Sequence, residues 1–374
     1  MNILYIYRMR QPVKYIYQYE SWPNFTWDQT KIQVLLGNVR YLQGKLLGQL
    51  SAVGFSQQED SLIRTLTENV VRSSEIEGVL LNYEQVHSSI ARQLGLEFAG
   101  MVNSSRDIDG VVAMLLDATQ NYQKKLDAKR LFGWHASLFP SGYSGIYKVD
   151  VGKYRKHEMQ VVSGGVGRER VHYEAPLPNV LKKEMDQFLK WLNDDDNMDL
   201  TLKSAVAHFW FVVVHPFDDG NGRVARAISD YLLAKSDRSE KRFYSLSAQI
   251  LAEKKEYYRV LALTQQNDAD ITEWLVWYLN CLMHALENSE QYVAKTLGKA
   301  EFWERIKDVE INERQRVMIN KLLNGFDGKL KTSKWAKLAK CSEDTALRDI
   351  KDLVEKNILK QEDAGGRSTS YVLV

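Results

Sequence analysis

The sequence predicts a mainly α fold: a helical core interrupted by one β-hairpin flap, then a small C-terminal domain of helices and a two-stranded ribbon. Three observations predict it. Apolar residues recur at helical spacing, as in Ile32, Leu35, Leu36, Val39, Leu42, Leu46, Leu47 and Leu50. Only 6 prolines interrupt 374 residues. Strand-like runs appear in two places: residues 154–162 with 170–173, on either side of Ser163-Gly164-Gly165-Val166-Gly167, and again near the C-terminus.

In chain order, Tyr15, Tyr17, Tyr19, Trp22, Pro23, Phe25 and Trp27 form a local aromatic cluster with no chemistry of its own. A helix from Asp28 ends at Gly54, and Ser56 with Glu59 is a capping-box pattern that opens a second helix to about Gly78. Further helices are predicted over residues 83–94, 106–126 and 128–138. Residues 141–152 read as glycine-rich and irregular. After the flap, Pro176 and Pro178 introduce a helix through Leu192, and Asp194-Asp195-Asp196 reads as a solvated linker. Asp199 caps the next helix, whose apolar run 205–214 implies burial on most sides. Residues 250–286 are helical again, with Trp274 and Trp277 turned to a core. We divide the chain into an N-terminal helical region (1–95), a core (96–290) and a C-terminal domain (291–374).

Composition is that of an ordinary globular protein, 44% hydrophobic and 26% charged. A net charge of +2 gives no general pull toward nucleic acid or an acidic membrane. Cys281 and Cys341 lie in helical-looking stretches and form no ligand or redox pattern, which fits small buried residues in a reducing compartment. No apolar run approaches the ~18 residues of a membrane span. Residues 1–7 are apolar and aromatic, but Arg8 and Arg10 follow them, the reverse of a secretory signal. The expected location is cytoplasmic, with no membrane partner.

Chemistry concentrates in His215-Pro216-Phe217-Asp218-Asp219-Gly220-Asn221-Gly222-Arg223-Val224-Ala225-Arg226. Pro216 blocks continuation of the preceding helix. Gly220 and Gly222 permit a tight backbone that turns N–H groups inward where a new helix starts, a ready anion site. Arg223 and Arg226 lie three apart on that helix, within reach of the same phosphates. Asp219 is well placed for Mg²⁺, which takes one or two carboxylates plus phosphate oxygens. His215 carries the imidazole whose ordinary pKa of about 6.5 suits proton abstraction near neutral pH. Singly each residue has a structural explanation; packing does not account for a base, a carboxylate, an anion loop and two arginines so close together.

The stretch resembles the Fic family motif, His-x-Phe-x-Asp/Glu-Gly-Asn-Gly-Arg-x-x-Arg, at every fixed position. The resemblance spans roughly residues 60–290 and implies a Fic-type helical core that transfers AMP from ATP to a Tyr, Ser or Thr hydroxyl of a target protein, releasing pyrophosphate. It implies His215 as general base, Phe217 packed beneath the loop, and Asp219 on Mg²⁺ bridging the phosphates. Gly220, Asn221 and Gly222 would hold the α- and β-phosphates, with Arg223 on the β- and Arg226 on the γ-phosphate. Met159, Gln160, Val161 and Val162 look like the family's hairpin that aligns the target by strand addition. Tyr257, Tyr258 and Gln265 resemble residues of its adenine pocket. The family's kinase-like branch resembles a loop with Lys before the first arginine; here Gly222 stands there. The same resemblance implies partners beyond the target: self-association as a homodimer, with self-modification.

Upstream, Ser73-Ser74-Glu75-Ile76-Glu77-Gly78 fits the family's inhibitory motif, Ser/Thr-x-x-x-Glu-Gly/Asn. It implies that Glu77 pairs with Arg226 and takes the arginine that the γ-phosphate needs. As a local pattern, the same residues also read as a helix end capped at Gly78. With Glu77 retained, the reverse reaction, removal of AMP from a modified protein, stays open.

Residues 315–323, 332–339 and 342–353 read as three helices, and Leu359 and Tyr371-Val372-Leu373 bracket Gly365-Gly366-Arg367-Ser368. This resembles a winged helix-turn-helix with Ser342 capping the recognition helix. DNA is disfavoured as its partner, because Glu343, Asp344, Asp349 and Asp352 outnumber Arg348 and Lys351. The alternative from that class is a nucleotide-sensing DNA-binding regulator; the presence of His215, which binding alone would not need, argues against it.

Overall fold

In the computed structural model several helices begin where a side chain satisfies free backbone N–H groups. The structure describes residues 14–51, 55–96, 100–163, 170–194, 197–326, 328–362 and 369–374. Of the stretches singled out above, residues 1–10, Gly54, 164–167, Asp195, Asp196 and 365–368 lie outside those residues, as does the side chain of Ser56. Helix α1 (Gln29–Ser51) starts where the Asp28 carboxylate accepts from the N–H groups of Thr30 and Lys31, at 3.0 and 3.2 Å. Helix α2 (Phe55–Ile76) ends just before Gly78, whose φ of +79° suits glycine. Asn82, Ser105 and Asp127 each cap the next three helices through the N–H three residues on: α3 (Tyr83–Gln93), α4 (Arg106–Gln120) and α5 (Ala128–Leu138). Helix α4 stops short of the predicted residue 126. The Arg130 guanidinium donates to the carbonyls of Asp117, Asn121 and Lys124 at 2.8, 3.1 and 2.8 Å, giving the end of the helix partners other than a further turn.

Residues 141–152, predicted irregular, contain a short antiparallel pair, β1 (Tyr143–Ser144) and β2 (Tyr147–Lys148), turning at Gly145 with φ +56°. Strands of two residues leave no alternation to read in a sequence. The flap pairs β3 (Gln160–Ser163) with β4 (Arg170–Glu174), Val161 opposite Tyr173, with an irregularity between Val161 and Val162. Its first strand starts later than residue 154, because Arg155 turns inward and is 2% exposed.

A short 3₁₀ turn at Pro178–Val180 leads into α6 (Leu181–Asn193). Helix α7 (Leu200–Val214) is buried at every position from Thr201 to Val214, which its all-round apolar sequence dictates. Helix α8 (Asn221–Asp237) packs along it. Helices α9 (Leu246–Ala252), α10 (Lys254–Thr264) and α11 (Thr272–Arg305) follow. Trp274 and Trp277 are buried, and the Trp274 indole donates to the Ala205 carbonyl at 2.8 Å. The N-terminal aromatic cluster packs on this core: Trp22 and Phe25 meet Trp210 edge-on at 5.8 and 5.6 Å, and Tyr15 meets Tyr173 at 4.9 Å. One compact unit ends at Gln291 and so holds the N-terminal helices together with the core.

The second unit begins at Tyr292. Helices α12 (Glu313–Leu323), α13 (Thr332–Ala339) and α14 (Glu343–Glu355) and the antiparallel pair β5 (Leu359–Gln361) and β6 (Tyr371–Leu373) enclose Met318, Trp335, Ile350 and Leu353. Cys341 is partly exposed and lies between α13 and α14, not within a helix, because Lys340 adopts φ +51° and ends α13; Cys281 is buried. Among the described residues no helix is long and apolar enough to cross a membrane.

Candidate active site

Helix α7 ends at His215, which keeps its N–H bond to Phe211 (2.9 Å) but takes left-handed dihedrals, φ 50° and ψ 58°. Its Nδ1–H donates to the Val212 carbonyl at 3.2 Å. In a neutral ring that bond leaves the Nε2 lone pair free as a proton acceptor. Burial pulls the His215 pKa down to about 4, against smaller upward pulls from the Val212 carbonyl, Glu77 and Asp219, so the ring is neutral at physiological pH.

Gly220 caps α8 with φ +80°, and a Cβ there would stand 3.0 Å from Leu138 and Phe139. Asn221 braces the turn: its side chain accepts from the Phe217 N–H and donates to the Phe217 carbonyl, at 2.9 and 2.8 Å. The amide therefore shapes the loop, while the first N–H groups of α8 supply its anion-binding character. Beside Gly222 stands Glu77; a Cβ on Gly222 would lie 2.1 Å from the Glu77 Oε1. That carboxylate accepts from Arg226 Nη2 at 2.8 Å, and Arg226 also donates to the Ser73 hydroxyl and carbonyl, at 2.8 and 2.9 Å. Arg226 is 2% exposed and Arg223 6%. Arg223 stacks over Phe139 and reaches Asp219 Oδ2 at only 3.5 Å.

These groups surround a cavity of about 500 Å³. His215, Asp219, Gly220, Asn221, Gly222, Glu77, Val161, Val162, Tyr258 and Gln265 all line it. Tyr257 lines it too, with its hydroxyl 3.2 Å from His208. Arg223, Arg226 and Ser73 sit behind the wall, around a separate small void. Met159 and Gln160 are off the wall as well. The Met159 carbonyl accepts from Ala175, and the Gln160 amide donates to Glu174 at 3.0 Å.

Asp219 could hold Mg²⁺ with its carboxylate. Among the described residues no group of three or more His, Cys, Asp or Glu side chains could bind a metal by itself. One carboxylate fits an ion that takes its remaining ligands from phosphates and water. The Ser144 hydroxyl, on β1, donates to Asp219 Oδ2 at 2.5 Å.

Three side chains that build this geometry were not read from the sequence: Ser144, His135 and Arg155. His135 is fully buried and stacked on Phe217 at 4.1 Å. Its Nδ1 accepts from the Gly152 N–H at 3.0 Å, so Nε2–H donates to the Asp219 carbonyl at 3.2 Å; burial lowers its pKa to about 4. Arg155 donates to the His215 carbonyl at 2.8 Å. Neither is marked by its sequence neighbours. Asp218, His172, Tyr173, Val212, Leu261 and Ala262 complete the lining.

Residues 125–233 match the Fic/DOC family, and residues 15–96 match a domain of unknown function, DUF4172. A "probable protein adenylyltransferase" of Aquifex aeolicus is 34% identical over 83 residues, 22% of this chain and 24% of that protein. The protein adenylyltransferase Fic of Drosophila yakuba is 23% identical over 224 residues, 59% of this chain and 41% of that one. The chain thus spans well under two thirds of the length of these curated relatives. Among solved structures, a Fic family protein from Desulfovibrio desulfuricans shares the fold with a TM-score of 0.52 at 21% identity, over 92% of this chain and 96% of that one. Fic-1 of Caenorhabditis elegans (residues 134–508) does so at 0.51 and 20%, over 73% and 74%. The complete motif at the α7–α8 turn, the mainly helical fold with its flap and the match over residues 125–233 agree: the chain contains a Fic/DOC family domain.

Proposed function

We propose that the chain is a protein adenylyltransferase that moves AMP from ATP onto a side-chain hydroxyl of a target protein. The observation that carries this reading is the neutral His215 facing the same cavity as the N-terminus of α8. In the reaction His215 Nε2 takes the hydroxyl proton as the oxygen attacks the α-phosphorus, and the bond from that phosphorus to the β-phosphate oxygen breaks, releasing pyrophosphate. The N–H groups at the Gly220–Gly222 turn and the helix dipole stabilise charge on the phosphates. Arg223 and Arg226 would anchor the β- and γ-phosphates. Mg²⁺ on Asp219 would offset phosphate charge when bound. Tyr257, Tyr258 and Gln265 would receive the base, and the exposed Val161 and Val162 on β3 would align the target segment by strand addition.

Glu77 is the inhibitory residue in this reading. Its carboxylate holds Arg226 and stands against Gly222, where phosphate charge would come. ATP could enter only with its triphosphate displaced, and misplacement by ~1 Å can cost on the order of a hundredfold in rate. Self-association with self-modification, and action in the cytoplasm, belong to the same proposal; the two cysteines without disulfides fit a reducing compartment.

The test is label transfer in cell lysate with α- and γ-labelled ATP in parallel, with Mg²⁺. Glu77→Gly is expected to raise labelling from the α position by about 10- to 100-fold over the parent chain, and adding His215→Ala to abolish it. Bands from the γ label would mean phosphoryl transfer. An unchanged rate in Glu77→Gly would remove the inhibitory role and leave the transfer reading standing.

A further inference from the structure

One side chain outside the nucleotide loop joins the His215 turn to the flap. Arg155 is 2% exposed, and among the described residues its side-chain hydrogen bonds all go to main-chain carbonyls. Nε donates to His215 at 2.8 Å, Nη1 to His157 at 2.8 Å and Nη2 to Pro176 at 2.5 Å. Its own N–H donates to the Pro216 carbonyl at 2.9 Å. His157 precedes β3 and Pro176 follows β4, so these two carbonyls are the roots of the flap.

Packing alone does not explain this residue. A guanidinium buried against carbonyls, with no carboxylate bonded to it, is costly to desolvate, and burial pulls its pKa down. An apolar chain of similar volume would fill the space without that cost. What an apolar chain lacks is a rigid planar fork that meets three carbonyls from three segments at once. We propose that Arg155 is a positioning residue that fixes the flap relative to the His215 turn, so that a hydroxyl aligned on β3 arrives at the base. This rests on the adenylyl-transfer reading for its consequence, while the geometric link can be measured without it.

The test compares Arg155→Lys and Arg155→Met in the Glu77→Gly chain. Lysine keeps a charge but is a point donor, so both variants are expected to lose about 10- to 100-fold in protein labelling from α-labelled ATP. ATP affinity by calorimetry is expected to stay within about twofold, since none of the three bonded carbonyls belongs to the Gly220–Gly222 turn. Amide hydrogen exchange is expected to quicken at residues 157–163 and 170–175 and at Phe217, without general loss of protection. Labelling at the Glu77→Gly rate in Arg155→Lys, or a parallel loss of ATP binding and global protection, would overturn the proposal. If the Glu77→Gly chain itself labels nothing, the transfer reading fails, and the exchange pattern alone decides the role of Arg155: unchanged exchange at the flap roots refutes it.

Discussion

Left-handed dihedrals at a residue other than glycine cost about 1–2 kcal/mol, and His215 adopts them at φ 50°. Its conformation is over-determined from three sides: Val212 accepts from the ring, Arg155 holds the carbonyl, and Pro216 prevents another helical turn. The ring's neutrality has a pH consequence. A base must be unprotonated, and with the pKa lowered to about 4 the active form is present above that value and lost as pH falls through it. Initial rates of AMP transfer by Glu77→Gly should therefore stay level from about pH 8 down to pH 5.5, with no inflection at the ordinary histidine value of about 6.5. An acid limb centred near 6.5 would mean that His215 titrates as a solvated imidazole. The sequence holds 7 histidines, and His215 could be singled out because its glycines, carboxylate and arginines are adjacent. His135 and Arg155 were illegible for the opposite reason: they act on Asp219 and His215 across 84 and 60 positions of chain.

Helices were legible wherever an apolar stripe coincided with a capping side chain, as at Asn82, Ser105, Asp127 and Asp199. They were misjudged where a distant group ended them, as Arg130 does for α4. Glycines inside helices show the same limit. Gly110 lies within α4, where alanine would ordinarily be better by about 1 kcal/mol. Here a Cβ would stand 1.8 Å from the Ser137 carbonyl oxygen on α5, a main-chain atom that cannot swing aside. Gly110→Ala should thus destabilise the chain, by about 1–3 kcal/mol or more, as α4 is forced away from α5. The fall should appear as a lower urea midpoint. A higher midpoint would mean that helix propensity outweighs the contact. No feature of the local sequence separates this glycine from Gly133 on α5, which has open space around it.

At the scale of the molecule, the charge argument about the C-terminal unit changes once its side chains are located. Asp349 is buried and held bidentately by Arg314 at 3.0 and 3.1 Å, with Asn312 at 3.0 Å. Asp352 accepts from Gln315 and Lys356, both at 2.7 Å. Two of the four acids that the sequence sets against phosphate contact are therefore committed within the unit. Glu343 and Asp344 remain exposed in the first turn of α14, where they suit the helix dipole and repel a phosphate. Opposing them, Lys329, Lys331, Lys334, Lys337 and Lys340 precede α14 with no acid among them. The repulsion sits at the end of the helix that would enter a groove, so it should decide the outcome. The parent chain is expected not to retard random duplex DNA in a gel at low ionic strength. Glu343→Lys with Asp344→Lys is expected to create retardation that disappears as salt rises, because the exposed first turn of α14 then attracts phosphate instead of repelling it. Salt-sensitive retardation by the parent chain would instead make the C-terminal unit a DNA-binding element.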